Sequence, residues 1–267
     1  MKRLFIFVGE SSGDLHGSHL VKEIRKLAPE LLVEGVSGPK MRAEGVSGPL
    51  KMEDFGMMGL SDVLKSCHKI FRYFFVVRNY ILKNDPQVVV LIDYPGFNLR
   101  LAAGLRKKGY KGKIIHYVSP SVWAWGDYRI EEMAKSLDLL LLIYPFEEKF
   151  FENRPLKVEY VGNPLCEYIR AYEYDHQWKA RLQIPQRGRL VSIFPGSRPG
   201  EVSRNLPIIL EVASLLAEEY PEVIFSFNFL SSSMHTAANR IFEGQYDISR
   251  NAPINLLFIS YVKNRET

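Results

Sequence analysis

Four short segments hold residues whose types and spacing could do chemistry. In Ile92-Asp93-Tyr94-Pro95-Gly96-Phe97-Asn98 a carboxylate closes an apolar, β-branched run just before a helix-starting proline. A carboxylate half-buried at the end of an interior strand could hold its proton more tightly than usual and accept one from a hydroxyl. It could equally cap the following helix. In Leu190 to Leu206 an apolar strand runs through Pro195-Gly196-Ser197-Arg198-Pro199-Gly200-Glu201 into a helix. Unpaired N–H groups at the positive end of a helix, with an arginine beside them, suit a phosphate or diphosphate. An ordinary strand-to-helix turn with a solvated Arg198 fits the spacing as well.

The other two segments are less specific. Gly9-Glu10-Ser11-Ser12-Gly13-Asp14 bridges the first strand to a helix expected near Leu15, with Asp14 and His16 at its start. Its glycines differ in spacing from the dinucleotide fingerprint G-x-G-x-x-G and from the phosphate loop ending in Gly-Lys-Ser/Thr, which weakens NAD and ATP readings. What remains is a tight loop at a strand end, the place where open α/β sheets bind ligands, or a simple helix cap from Ser11, Ser12 or Asp14. His116 to Trp125 ends another strand with Ser119 and Ser121 around Pro120, then Trp123 and Trp125. Such aromatic residues serve packing, yet they also stack on sugars and cover acyl chains.

Between Asp62 and Asp85 no acidic residue occurs, while Lys65, Lys69, Arg72, Arg78 and Lys83 alternate with Phe71, Phe74, Phe75 and further apolar residues. That apolar set is too wide for one core-facing stripe. The segment reads as a basic interfacial helix for anionic lipid or as a mouth for a lipid substrate, against a core helix with snorkelling cations. Nucleic acid is disfavoured, because the aromatics form a block instead of spreading along a basic groove. His16 and His19 are the one close histidine pair, with no third metal ligand suggested. Cys67 and Cys166 stand far apart, so neither a disulfide framework nor a zinc ribbon is indicated, and a reducing cytosol fits.

The elements that must position these residues follow from the apolar pattern. Runs at Leu4 to Val8, Leu32 to Val36, Val88 to Ile92, Lys113 to Val118, Asp138 to Tyr144 and Lys157 to Val161 alternate with helix-length stretches, the rhythm of a parallel sheet covered on both faces. Further strands are expected at Leu190 to Phe194, Val223 to Phe227 and Ile254 to Ser260. The expected architecture is α/β with a Rossmann-like lobe over residues 1–168 and a second, incomplete lobe over 169–267, the chain being truncated at its C-terminus. Gly35-Val-Ser-Gly-Pro39 returns as Gly45-Val-Ser-Gly-Pro49 and reads as a repeated turn. Over 267 residues, 46% hydrophobic and 24% charged residues are ordinary globular composition, and a net charge of +5 suits anionic small molecules or an anionic membrane surface. No run approaches the roughly 18 apolar residues of a membrane span.

Taken together, Gly9 to Asp14, Gly35 to Pro39, Met57-Met-Gly59, Asp93 to Asn98, the Ser-Pro-Ser-Val-Trp-Ala-Trp string at Ser119 to Trp125, and Pro195 to Arg198 with Glu201 resemble the lipid-A-disaccharide synthase family. The resemblance implies a GT-B glycosyltransferase that joins UDP-2,3-diacylglucosamine to 2,3-diacylglucosamine 1-phosphate, forming a β-1,6-linked disaccharide with release of UDP. It implies that Asp93 is the general base for the acceptor's 6-hydroxyl and that Arg198, with the N–H groups around Ser197, holds the UDP diphosphate, Gly196 and Glu201 being further substrate-binding residues. Gly9, Glu10, Ser11, Ser12, Gly13, Asp14, Asn98, Ser119, Ser121, Trp123 and Trp125 would contact substrate. Phe71, Arg72, Phe74, Phe75 and Arg78 would dock on the inner membrane from the cytoplasmic side and admit acyl chains. No cofactor or metal is implied, and a homodimer is compatible. Two departures stand out: Gly96 occupies a position where the family often has a second carboxylate, and nothing after Ile254 resembles the family's Ser-Gly-Thr nucleoside segment. Competing readings are an inactive membrane-docking fragment and another UDP-sugar transferase or epimerase of the same fold.

Overall fold

The three-dimensional arrangement comes from a computed structural model. It describes residues 2–56, 63–122, 128–181, 184–185, 188–197, 199–229, 234, 236, 238, 241 and 255–260. The chain divides into two compact units, Met1–Tyr172 and Glu173–Thr267.

In the first unit, apolar runs, most deeply buried toward the middle of the sheet, make the strands. They are β1 (Arg3–Val8), β2 (Leu32–Val36), β3 (Val88–Ile92), β4 (Lys113–Tyr117), β5 (Leu139–Leu142) and β6 (Val158–Tyr160), all parallel, in the order β2-β1-β3-β4-β5-β6. The helices are α1 (Ser11–Leu27), α2 (Pro39–Ala43), α3 (Glu53–Gly56), α4 (Val63–Asn84), α5 (Pro95–Lys107), α6 (Tyr128–Ser136) and α7 (Pro164–Arg170), with a 3-10 turn at Pro145–Phe150.

The period-two alternation of the strands sorts side chains onto two cores. Phe5 and Phe7 of β1 with Val89 and Leu91 of β3 face α4 and α5, where Val77, Ile81, Leu101 and Leu105 are fully buried. Leu4, Ile6, Val8, Val90 and Ile92 face the other way, onto Val21 of α1 and Met41 of α2. Each such side chain contributes about 2 kcal/mol on leaving water.

In the second unit β7 (Arg189–Ile193), α9 (Pro199–Glu219), β8 (Val223–Phe229) and β9 (Asn255–Ser260) form a three-stranded parallel sheet in that strand order, preceded by the short α8 (Trp178–Arg181). Helical spacing puts Val202, Leu206, Leu210, Ala213 and Ala217 of α9 on Phe225, Phe227 and Phe229 of β8.

Several local expectations change. The expected loop Gly9–Asp14 is shorter, because α1 starts at Ser11; Glu10 is its N-cap residue and makes no side-chain cap bond. Val118 is not part of β4, since its φ of 70° ends the strand. The repeated Gly-Val-Ser-Gly segment is more than a turn. Its second copy runs along the edge of β2 through parallel bridges Glu34↔Ser47 and Ser37↔Lys51, covering an otherwise open sheet edge. This close approach needs glycine: a Cβ on Gly35 would lie 1.9 Å from the Ile6 carbonyl oxygen, and one on Gly48 2.0 Å from that of Gly35.

Candidate functional site

With β2 and β3 on opposite sides of β1, chain direction across the sheet reverses between β1 and β3. Open α/β sheets leave a crevice beyond the carboxyl ends of the strands at such a switch. Val8 and Ile92 are register partners there, so the residues after them, Gly9–Glu10 and Asp93–Tyr94, rim the same crevice.

Asp93 and Tyr94 form a strained elbow between β3 and α5. Both are left-handed, with φ of 51° and 47°. Aspartate tolerates that conformation better than most residues. Four hydrogen bonds hold the elbow. The Asp93 N–H donates to the Tyr117 carbonyl at 2.9 Å. Asn98 Nδ2 donates to the carbonyls of Asp93 (2.6 Å) and Ile92 (3.3 Å). The Ser12 hydroxyl donates weakly to Asp93 Oδ2 at 3.5 Å. Gly9 is required opposite the elbow, since a Cβ there would come within 2.7 Å of the Tyr94 ring. His16 lies on α1 behind it, edge-on to Tyr117 at 5.9 Å. Burial lowers its pKa from the ordinary value, while the charge of Asp93 pulls the other way and that of His19 adds to the lowering.

An open groove of about 700 Å³ starts at Asp93 and Glu10 and runs between α4 and α5 past Ile70, Phe71, Phe74 and Tyr94. Its walls continue into the aromatic core: Phe74 meets Phe97 at 5.9 Å and Phe97 stacks on Phe7 at 4.7 Å. The side chains of α4 differ in burial residue by residue. Val77 and Ile81 are core, Phe74 walls the groove, and Phe71 is 64% exposed beside Phe75. Arg72 is exposed, whereas Arg78 lies over the Phe75 ring at 4.7 Å. His16 is named by the sequence at the start of α1, whereas Tyr94 and Phe97 are not among the expected site residues. Those two carry a signal, an aromatic pair at i, i+3 directly after the strand end.

Two of the expected substrate contacts have structural partners of their own. Asp14 is 2% exposed, and its carboxylate accepts hydrogen bonds from the N–H groups of Gly38 (2.9 Å), Lys40 (2.9 Å) and Met41 (3.1 Å). It caps α2, which has no cap of its own, and is spent on the fold. Asn98 is fully buried and positions the elbow from behind. Ser11 and Ser12 lie in the first turn of α1, and Gly13 packs near Val8 and the Ile92 carbonyl. At the end of β4 the Ser119 hydroxyl donates to the Pro120 carbonyl at 3.0 Å, and Ser121 is exposed. Trp123, Trp125 and Arg198 lie outside the described residues.

In the second unit the Ser197 N–H and hydroxyl both donate to Glu201 Oε2, at 2.8 and 3.1 Å. The expected anion site thus holds this chain's own carboxylate, and Glu201 is a capping group of that turn. Among the described residues no cluster of His, Cys, Asp and Glu could hold a metal ion, and no helix is long and apolar enough to cross a membrane.

Comparison with known proteins agrees with this reading of the fold. A UDP-GlcNAc 2-epimerase from Neisseria meningitidis bound to UDP-GlcNAc superposes with a TM-score of 0.62 at 12% identity, covering 97% of this chain and 72% of that one. An apo OtsA structure gives 0.54 at 14% identity, covering 99% and 74%. These likenesses show an α/β fold of the GT-B kind. Lipid-A-disaccharide synthase of Chlamydia abortus is 42% identical over 226 residues, 84% of this chain and 36% of that protein. The enzyme of the same name from Geobacter metallireducens is 38% identical over 231 residues, 86% of this chain and 60% of that protein. The chain therefore spans between about a third and three fifths of these relatives' length. The family model for lipid-A-disaccharide synthetase matches residues 4–263, and to that family this chain belongs.

Proposed function

We propose that the chain carries the acceptor site, and part of the donor site, of a glycosyltransferase acting on acylated glucosamines. The observation that carries this reading is the position of Asp93: a carboxylate at the mouth of an apolar groove, at the switch point of the sheet. An acyl chain of 2,3-diacylglucosamine 1-phosphate would lie along Ile70, Phe71, Phe74 and Tyr94, placing the sugar's 6-hydroxyl at Asp93. Asp93 takes the hydroxyl proton as the oxygen attacks the anomeric carbon of UDP-2,3-diacylglucosamine; the new C–O bond forms with inversion as the bond to the UDP phosphate breaks. Ser12 orients the carboxylate. Arg198 and the turn at Gly196–Ser197 would stabilise charge on the departing diphosphate, with Glu201 giving up the Ser197 donors. Phe71, Arg72 and Phe75 would rest on the anionic inner-membrane surface, presenting the groove to lipid.

The test is UDP release on incubation with both acylated sugars, in wild type and Asp93→Asn. Release that needs both sugars and disappears in the variant is expected. Release undiminished in the variant, or independent of the acylated acceptor, refutes the reading and favours another UDP-sugar chemistry on this fold.

A further inference from the structure

A second groove adjoins the first and has the opposite character. It encloses about 670 Å³ between α5 and α6, and its lining includes Arg100, Arg106, Lys107, Arg129 and Lys135 against the single carboxylate of Glu132. The two grooves share Pro95, Gly96 and Arg100, so they meet directly beside the Asp93 elbow. Gly96 is an open saddle between them, with nothing within 4 Å of where its Cβ would stand.

These cations differ in where they stand in the fold. Arg106 is committed to the fold: it bonds the carbonyls of Ser136, Tyr110 and Gly112 and pairs with Asp138. Lys107 and Lys135 sit in the last turns of α5 and α6, where a cation also favours the helix dipole. Arg129 does not fit that pattern, because it lies in the first turn of α6, the end at which a cation is disfavoured. Arg100 does not fit it either. It lies in the body of α5, exposed, with Nη1 on the Gly96 carbonyl at 2.8 Å, directly at the saddle. Positive side chains brought from two helices into one trough give it a field that favours an anion.

We propose that the α5–α6 groove receives the phosphate monoester of a bound amphiphile whose acyl chain occupies the α4–α5 groove. Arg100, at the junction, contacts the phosphate first, and Lys107 and Lys135 supply the surrounding positive field. This rests on the acceptor reading above and adds to it a site for the acceptor's charged end.

The experiment measures binding of 2,3-diacylglucosamine 1-phosphate and of the same lipid lacking the phosphate, each in neutral detergent micelles. It compares wild type with Lys107→Glu/Lys135→Glu. Both lysines are exposed, so the variant should keep its far-ultraviolet circular dichroism and fold, with a melting temperature lowered by a few degrees at most through the lost helix-dipole interactions. Wild type should prefer the phosphorylated lipid by about tenfold, more so at low salt, and the variant should lose that preference while binding the unphosphorylated lipid equally well. A variant that keeps the preference overturns the proposal and leaves the acceptor reading standing. If it keeps the preference but no longer floats with phosphatidylglycerol vesicles, the groove serves the bilayer surface instead, and the proposal is again overturned. Wild type that binds neither lipid overturns the acceptor reading itself, and this inference with it.

Discussion

Acidification should weaken the first unit through one buried side chain, His116. It is the fourth residue of the central strand β4, fully buried between register partners Leu91 and Leu140 on β3 and β5. Burial pushes its pKa from the ordinary 6.5 down to about 4, outweighing a favourable backbone interaction at Val118. The unfolded chain takes up a proton near pH 6.5 and the folded chain refuses it until about pH 4. Stability is therefore complete above pH 6.5 and falls as pH drops, by about 1.4 kcal/mol per pH unit. Over the 2.5 units between 6.5 and about 4 the loss reaches about 3 kcal/mol, then levels off once both states are protonated. His116→Leu removes the titration while keeping an apolar side chain of similar size. Urea unfolding of both proteins at several pH values, read from the transition of the first unit, isolates the effect, since His16 contributes in the same direction to each. Wild type should lose about 3 kcal/mol more than the variant across that range. Parallel pH profiles would refute the argument.

Other perturbations follow from particular contacts. Asp14→Ala leaves three N–H groups at the start of α2 without their carboxylate and should cost about 3 kcal/mol in chemical denaturation. Gly35→Ala drives a methyl group into the Ile6 carbonyl and should abolish soluble folded protein; a variant with wild-type melting would refute the close packing of β1 and β2. Gly9→Ala forces the Tyr94 ring away and re-aims Asp93. Under the proposed reaction, sugar transfer should fall by about tenfold or more with little change in melting temperature, so equal losses in both would count against the elbow's role.

The parts legible in the sequence are those set by local pattern. Continuous apolar runs gave β1 and β3 their place inside a parallel sheet, and the strand end at Ile92 put Asp93 on its rim. The parts that were hidden depend on contacts distant along the chain. Asp14 reads as a ligand contact beside Ser12, because its three partners come 24 to 27 residues later, at a turn with no cap of its own. Asn98 looks like one more polar residue of the motif; only the left-handed elbow turns the carbonyls of Ile92 and Asp93 toward it. The second Gly-Val-Ser-Gly copy resembles a turn because the pairing of an isolated bridge leaves no periodicity. Arg100 and Lys107 share one helix, but the groove exists only because Arg129 and Lys135 arrive from another.

The elbow also limits which amino acids position 93 can accept. With φ at 51°, Asp, Asn and Gly fit readily, and β-branched or longer side chains meet the cost of the left-handed region before chemistry is considered. Glutamate, the usual conservative exchange for a carboxylate, is thus opposed by the backbone as well as by its extra methylene. Asparagine, which lacks the negative charge, is favoured by it. In a randomised library sorted for folded protein alone, position 93 should therefore enrich Asn, Asp and Gly together, while a selection for sugar transfer should return only Asp. The difference between the two sorted pools separates what the backbone demands at this position from what the chemistry demands.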